Sequence, residues 1–511
     1  MSPSRRGLVA VIASFALAAP SFASAREPGS VVVLGWNDLG MHCYSPSFAD
    51  MALLPPYNTL WAQVIQVGDP PRILTGGVSV SYFFADNATS AGKTDFWQYA
   101  QALFGVSLAA DVGLRGFGLS GNMRADGDHF IAEGVPLTEY SDSAPNGANP
   151  YQIATIVVRD AATGQELARS SVVAPVSSEM RCDGCHADGA DAAPDIATGK
   201  WETNVLTLHD RLEGGKYARP LMQSRPVLCA GCHADAALGT RGAPGTSSFS
   251  NAMHRRHRDL PDVTPDTEGC YNCHPGSSTR CLRDTMSTRF GFGCPTCHGT
   301  VATVSLNPTP WLLEPRCSAV ACHGSGVRMD RPLYRQSRGH GGTYCAGCHD
   351  SPHAIAPSSH PLDGQKRVAL QGDPGTLAAC GTCHASDPGG AFYHPLRPAP
   401  RPVAAWLPAG ADAGPLLPVT VYRGVTIASV GAAEAVLRDG GSGNADKALR
   451  AELLSAKLNL AAGVRGECVA GAVREAEDLL AALFGGNPTV DLARLRAATT
   501  ALAGYNATGC R

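Results

Sequence analysis

The chain is poor in aromatic side chains, 6% of 511 residues, and carries almost no net charge, −3 at neutral pH. A near-neutral balance argues against nucleic acid as a partner, since the phosphate backbone selects strongly basic surfaces. Past the first 25 residues no apolar run approaches the ~18 residues a membrane-spanning helix requires, so no membrane span is expected. The shortage of aromatics bears on packing. A chain of this length has room for about three domains, and in its middle segment side chains alone are a thin source of core volume.

What is present at the start is an export signal. Arg5 and Arg6 precede an apolar run from Gly7 to Ala19, and Ala23-Ser24-Ala25 forms an A-x-A cleavage site. Residues 1–25 are therefore predicted to be a signal peptide, with the mature chain beginning near Arg26. Ser4-Arg5-Arg6 also resembles a twin-arginine signal, but the general secretory route is favoured because it delivers an open chain with accessible thiols. No cysteine stands at the cleavage site to take a lipid anchor. The expected location is the periplasm or the cell surface.

Fourteen of the eighteen cysteines fall into seven closely spaced pairs, each followed directly by histidine. Six read C-x-x-C-H: Cys182/Cys185/His186, Cys229/Cys232/His233, Cys270/Cys273/His274, Cys294/Cys297/His298, Cys345/Cys348/His349 and Cys380/Cys383/His384. The remaining one, Cys317/Cys322/His323, is stretched to C-x4-C-H. The spacing suits covalent c-type haem: two thiols add to the two vinyl groups of one porphyrin edge while the adjoining imidazole turns under the iron as proximal ligand. A single such motif also reads as half of a zinc site. Seven repeats with the histidine always in the same place favour haem, seven copies in all, and the stretched loop still reaches the same three contacts.

The same segment holds seven further histidines: His209, His254, His257, His340, His353, His360 and His394. Seven donors match seven irons, which predicts bis-histidine ligation without saying which histidine closes which iron. His254 and His257 stand at i and i+3, on one face of a helix roughly 5–6 Å apart at Cβ, so one short helix would serve two haems. His349 and His353 repeat the idea at i and i+4. Met253 is a competing ligand that would raise the potential, and His42 is a reserve distal ligand from outside the segment. Four cysteines remain. Cys468 and Cys510 share the C-terminal region and are expected to form a disulfide, leaving Cys43 with Cys281; a small metal site around Met41-His42-Cys43 is the alternative for that corner.

Around this segment the pattern changes twice. Residues 28–178 carry short strand-like runs, among them Val31–Leu34, Leu60–Ile65 and Val78–Phe83, and a hairpin signal from Ile153–Val158 through Asp160–Gly164 to Glu166–Val173, which predict an antiparallel β-sandwich-like domain. Residues 179–400 are rich in Gly and Pro with little sustained periodicity, predicting coil with short helices held by the covalent cofactors. A proline-dense stretch, 401–429, reads as a semi-rigid linker. From 430 to 511 three apolar stripes at helical spacing (Leu449, Leu453, Leu454, Leu458; Val469, Val473, Ala476, Leu480, Leu483; Leu492, Leu495, Thr499, Leu502) predict a haem-free α-helical module. The fold class expected is multidomain.

The stretches Trp36-Asn37-Asp38-Leu39-Gly40-Met41-His42-Cys43, Leu54-Pro55-Pro56-Tyr57-Asn58-Thr59-Leu60 and Cys270-Tyr271-Asn272-Cys273-His274-Pro275-Gly276 are similar to those of exported multihaem c-type cytochromes with a haem-free β domain ahead of the haem array. The resemblance covers roughly residues 30 to 330. It implies electron transfer through closely packed bis-histidine haems, with other redox proteins or extracellular acceptors as partners. Some outer-surface proteins of this kind polymerise into conductive filaments, so a homopolymer is among the implied assemblies. A multihaem reductase of a small nitrogen or sulfur oxyanion, with one open iron, is the alternative, and the stretched motif is where such a site is expected. A structural or interaction role for the terminal domains is the third class.

Overall fold

The computed structural model describes residues 26–511 except 277, 311–315, 320, 321, 324–326, 328, 387, 389–400, 408–412, 423, 463, 465–467, 486–489 and 509–511. The expected signal peptide, His394 and Cys510 lie outside the described residues. The N-terminal region is β-rich. β1 (Val31–Asn37), β2 (His42–Cys43), β3 (Met51–Ala52), β4 (Asn58–Gln66), β5 (Arg72–Leu74) and β6 (Val78–Phe84) precede helix α1 (Phe96–Phe104). β7 (Ser120–Asn122), β8 (Arg124–Asp126), β9 (His129–Val135), β10 (Tyr151–Asp160) and β11 (Glu166–Ser177) complete it. One sheet runs β1-β4-β9-β8 with β5 also on β4, and the other runs β2-β11-β10-β6-β7.

The two sheets share a core. Val33, Leu60, Ala62 and Val64 from the first meet Val80, Tyr82, Ala154, Ile156 and Val172 from the second. Side chains alternate across a strand, so the neighbours of those residues on β1 and β4 point the other way. They are buried too: Val32, Leu34, Trp36 and Ile65 pack with Tyr334, Tyr344 and Ala346 from the histidine-rich segment. β1 therefore has both faces covered, which is why Val31–Leu34 reads as an unbroken apolar run rather than an alternating one. The β10–β11 hairpin pairs Ile153 with Val173 and shifts register between Val158 and Arg159. Its turn is held by the Asp160 carboxylate, which accepts from Ala162 N at 3.0 Å and Thr163 N at 2.8 Å.

The middle segment is built of short helices: α2 (Asp183–His186), α3 (Trp201–Glu213), α4 (Phe249–His257), α5 (Thr267–Tyr271), α6 (Thr285–Phe290), α7 (Cys294–His298), α8 (Val301–Leu306), α9 (Cys345–His349) and α10 (Pro361–Gln371). It is tied back to the β region at several points. β12 (Val227–Leu228) pairs in parallel with β3, and Asn37 N donates to Ser351 Oγ at 3.1 Å. Gly40 marks the tightest approach. Its φ of +85° suits glycine, and a Cβ there would stand 1.9 Å from the Pro352 carbonyl oxygen. Gly40→Ala is expected to destabilise the folded chain by about 3 kcal/mol, combining left-handed strain with overpacking. Chemical denaturation checks this, and a loss below about 0.5 kcal/mol, the range of an ordinary surface substitution, would refute the close contact.

The C-terminal region is helical, with helices Val430–Asp439, Ala445–Ala461, Ala470–Phe484 and Leu492–Thr508. Leu449, Leu453, Leu454, Leu458, Leu480, Leu495 and Leu502 share its core, whereas Leu492 is exposed. The proline-dense stretch belongs to this body and is not a spacer ahead of it. Trp406, Val419, Val421 and Ile427 are in the same core, and a hairpin of β13 (Val419–Tyr422) and β14 (Val425–Ile427) forms where a linker was expected. Alternating apolar residues after Pro418, the last proline of the stretch, explain the difference, because they can bury one strand face. Among the described residues no helix is long and apolar enough to cross a membrane.

Candidate haem centres

Each motif closes as a single turn. The histidine N–H donates to the carbonyl of the first cysteine in His186→Cys182 (2.9 Å), His233→Cys229 (3.0 Å), His274→Cys270 (2.9 Å) and His384→Cys380 (2.9 Å). Cys294–His298 and Cys345–His349 are one-turn helices, α7 and α9. In the stretched motif His323 N still reaches Cys317 O at 3.0 Å, so the insertion does not open the turn.

The two thiols of a motif are not equivalent, which equal spacing does not foretell. In the first two motifs Cys182 and Cys229 are half-buried, whereas Cys185 and Cys232, expected as the second attachment points, are exposed free thiols. Within these turns Cys185 N donates to Cys182 O and Cys232 N to Cys229 O, both at 3.2 Å. Cys273, Cys297 and Cys322 are likewise exposed, but Cys348 and Cys383 are half-buried, because the last two motifs lie against the β region. At Cys380 and Cys383 the order is reversed, with the first thiol exposed.

Five of the motif histidines face a second histidine from elsewhere in the segment. Ring centres are 6.3 Å apart for His186 and His257, 6.4 Å for His233 and His209, and 6.1 Å for His274 and His254. They are 6.1 Å apart for His298 and His353 and 5.9 Å for His384 and His340. An imidazole nitrogen sits about 2.0 Å from a first-row metal ion and roughly 1.1 Å from its ring centre, so two rings on opposite sides of one ion have centres about 6.2 Å apart. All five separations agree with that figure to within a few tenths of an ångström. Closer packing would leave no space for an ion between the rings.

The Nδ1 atoms fit the same chemistry. His254 Nδ1 meets Ser250 O and His257 Nδ1 meets Met253 O, both at 2.7 Å, and His233 Nδ1 meets Ser247 O at 2.9 Å. A carbonyl only accepts, so each of these Nδ1 atoms carries the proton and Nε2 keeps a free lone pair, as a ligating histidine requires. Tyr217 Oη donates to Asp210 and so stands as acceptor 3.2 Å from His209 Nδ1. The Asp69 carboxylate lies 3.2 Å from His384 Nδ1. Asp210, Tyr217 and Asp69 carry no sequence signal for this role, because they act through a neighbour's ring.

Helix α4 shows how the local fold does this. Ser248 Oγ caps it by accepting from Asn251 N at 3.3 Å, and Asn251 Nδ2 donates to Ser305 O and Asn307 O at the end of α8. The helix is thereby fixed while His254 and His257 project to His274 and His186. Met253, in the same turn, supplies its carbonyl to His257. His360, expected as a distal ligand, stacks on Tyr151 with ring centres 3.8 Å apart. Its Nδ1 is buried without a partner among the described residues. The reserve ligand His42 has its Nε2 engaged by Asp38 at 2.9 Å, and His129 stacks on Trp61 at 4.2 Å.

Neighbouring thiols place the motifs relative to one another. Burial and then Cys273 push Cys182 up to about 12, and burial with a smaller contribution from Cys182 does the same at Cys229. A thiol hydrogen bond from Cys270 lowers Cys294, and Cys294 N donates to Thr267 Oγ1 at 3.2 Å. Burial raises Cys297, with Asp284 and Cys322 adding. Burial and then Cys317 raise Cys345, and burial and then Cys383 raise Cys348, each to about 12. The spatial succession begins with the second motif in the chain, passes to the first, and then follows sequence order from the third to the last.

Outside the motifs, Cys43 and Cys281 are free thiols, not the disulfide expected from the leftover count. They are neighbours: burial first, then Cys281, push Cys43 up to about 12. Cys281 Sγ lies 3.2 Å from His353 Nδ1, an additional anchor for that ring. Cys468 is disulfide-bonded, and its expected partner Cys510 is outside the described residues. Among the described residues no three or more of His, Cys, Asp and Glu converge as a metal-binding group; an axial pair brings together two. Comparison with known proteins finds no matching family model and no matching curated protein.

Proposed function

We propose that the protein carries electrons through seven covalent c-type haems outside the cytoplasm, in the periplasm or at the cell surface. The observation that carries this reading is the set of five histidine pairs with ring centres 5.9–6.4 Å apart, each pair including the histidine of a Cys-Cys-His turn. Bound haem iron supplies a one-electron ferric/ferrous couple. The chain's own residues attach and orient. The paired thiols fix each porphyrin edge, the motif turn sets one imidazole, and α3, α4 and the loops bearing His340 and His353 set the opposite one. The exposed sulfurs of Cys185 and Cys232 leave the second attachment of the first two motifs open to a vinyl group. Carbonyls on Nδ1 keep Nε2 available, and the outer face of the β1–β4 sheet covers the later motifs from water. Redox proteins or extracellular acceptors are the partners, and a homopolymer is the larger assembly to look for.

The test is a haem count and a ligand challenge on the purified full chain. Seven haems per polypeptide are expected, with at most the irons outside the five pairs binding CO after reduction. A chain without covalent haem would refute the reading. Six haems would remove the stretched motif, and CO at one of the five paired sites would favour a reductase.

A further inference from the structure

Behind α9 the structure buries a cluster of charges that the motif chemistry does not use. Asp350, the residue after His349, receives Lys366 Nζ at 2.8 Å and Arg367 Nη1 at 2.5 Å. The three side chains are 6%, 6% and 1% exposed, so solvent screens them little. Lys366 Nζ also donates to Gly35 O of β1 at 2.6 Å, and Arg367 donates to Asp363 O at 2.9 Å and Pro374 O at 3.0 Å. The adjoining Arg283–Asp363 pair, with Nε to Oδ2 at 2.7 Å, is neutral as a unit. Burial lowers Lys366 and Asp350 opposes that; with Lys366 protonated, two cations against one carboxylate leave one net positive charge.

That charge stands beside the sixth motif. Asp350 N donates to Ala346 O within the turn that carries Cys345, Cys348 and His349. A ferric centre carries one more positive charge than a ferrous one, so a buried cation nearby favours the reduced form. At the next motif the relation is reversed, because the Asp69 carboxylate on His384 Nδ1 makes that ligand more basic and favours ferric iron. The two motifs adjoin: Leu377 N donates to Cys348 O at 3.0 Å only a few residues before Cys380.

We propose that the buried Lys366–Arg367–Asp350 cluster is a positioning device that raises the reduction potential of the haem held by Cys345, Cys348 and His349, making it a local electron sink beside the His384 site. This rests on the electron-carrier reading above. Lys366 supplies the unbalanced charge, since Arg367 and Asp350 neutralise one another as the shorter pair.

Redox titration of the full-length protein, followed by the haem absorbance, tests it. Lys366→Gln removes the charge and leaves a neutral Arg367–Asp350 pair. One of the seven components should move to lower potential by at least tenfold in its oxidised-to-reduced ratio, which is 59 mV for a one-electron couple. Lys366→Arg should restore the original curve, and Lys366→Met, of similar length and uncharged, should match Lys366→Gln. Uncharged variants with the full haem complement and unchanged thermal unfolding, yet with titrations superimposable on the parent, overturn the device and leave the carrier reading standing. A parent protein without haem overturns both.

Discussion

His257→Ala should create one additional CO-binding iron per chain on reduction, and His254→Ala should do the same at a different motif. The expectation follows from α4. Its cap on Ser248 and the two Asn251 bonds to Ser305 O and Asn307 O do not involve either imidazole, and alanine has the highest helix propensity. The helix should therefore stay in place when a ring is removed. His257 faces His186 at 6.3 Å and His254 faces His274 at 6.1 Å, so under the proposed haem reading each substitution opens the face of one iron and not the other. In the ferric state the opened site should acquire high-spin absorbance, and the double variant should bind two additional CO molecules. The proximal turns are untouched, so the covalent haem count should remain that of the parent. A His257→Ala protein with full haem content and unchanged CO uptake would show that His257 closes no iron. Equal responses in His257→Ala and His360→Ala would refute the distinction between a ring facing a motif histidine and one stacked on Tyr151.

Much of this was legible from spacing, and the remainder depended on contacts between distant parts of the chain. The i, i+3 spacing of His254 and His257 put both rings on one helix face, but which two motif histidines they face depends on where α2 and α5 lie. A count of seven and seven histidines cannot distinguish one matching from another. The exchange of the first two motifs in space was invisible for the same reason, and so was the exposure of Cys185 and Cys232 beside half-buried Cys182 and Cys229. Strand-like runs marked the β region, and in β1 the absence of alternation was itself a signal that both faces are covered, though not by what. Apolar spacing located the C-terminal helices correctly while proline content misled in 401–429, because the buried Trp406, Val419 and Val421 outweigh the prolines between them. Asp350, Lys366 and Arg367 had no signature, since charged residues usually lie at the surface. Only the fold brings Gly35 O and Asp350 to the same ammonium group.

That cluster also gives the largest stability effect expected of a single substitution. Asp350→Ala leaves Lys366 and Arg367 buried with no counter-charge, a loss of about 3–5 kcal/mol by comparison with other broken buried pairs. Asp350→Asn removes the charge but keeps some hydrogen bonding, so it should fall between the parent and alanine. The pH dependence gives an independent check. Burial raises the Asp350 carboxyl, but Lys366 and Arg367 outweigh it and hold the group below the usual aspartate range. A carboxylate depressed in the folded state stabilises fully above its unfolded pKa and loses that contribution as pH falls through the folded value. Denaturation curves of the parent and Asp350→Ala should therefore lie far apart at neutral pH and approach one another in acid. A difference smaller than about 1 kcal/mol at neutral pH, in the range of an exposed pair, or one that does not narrow on acidification, would mean that the two cations do not depend on Asp350.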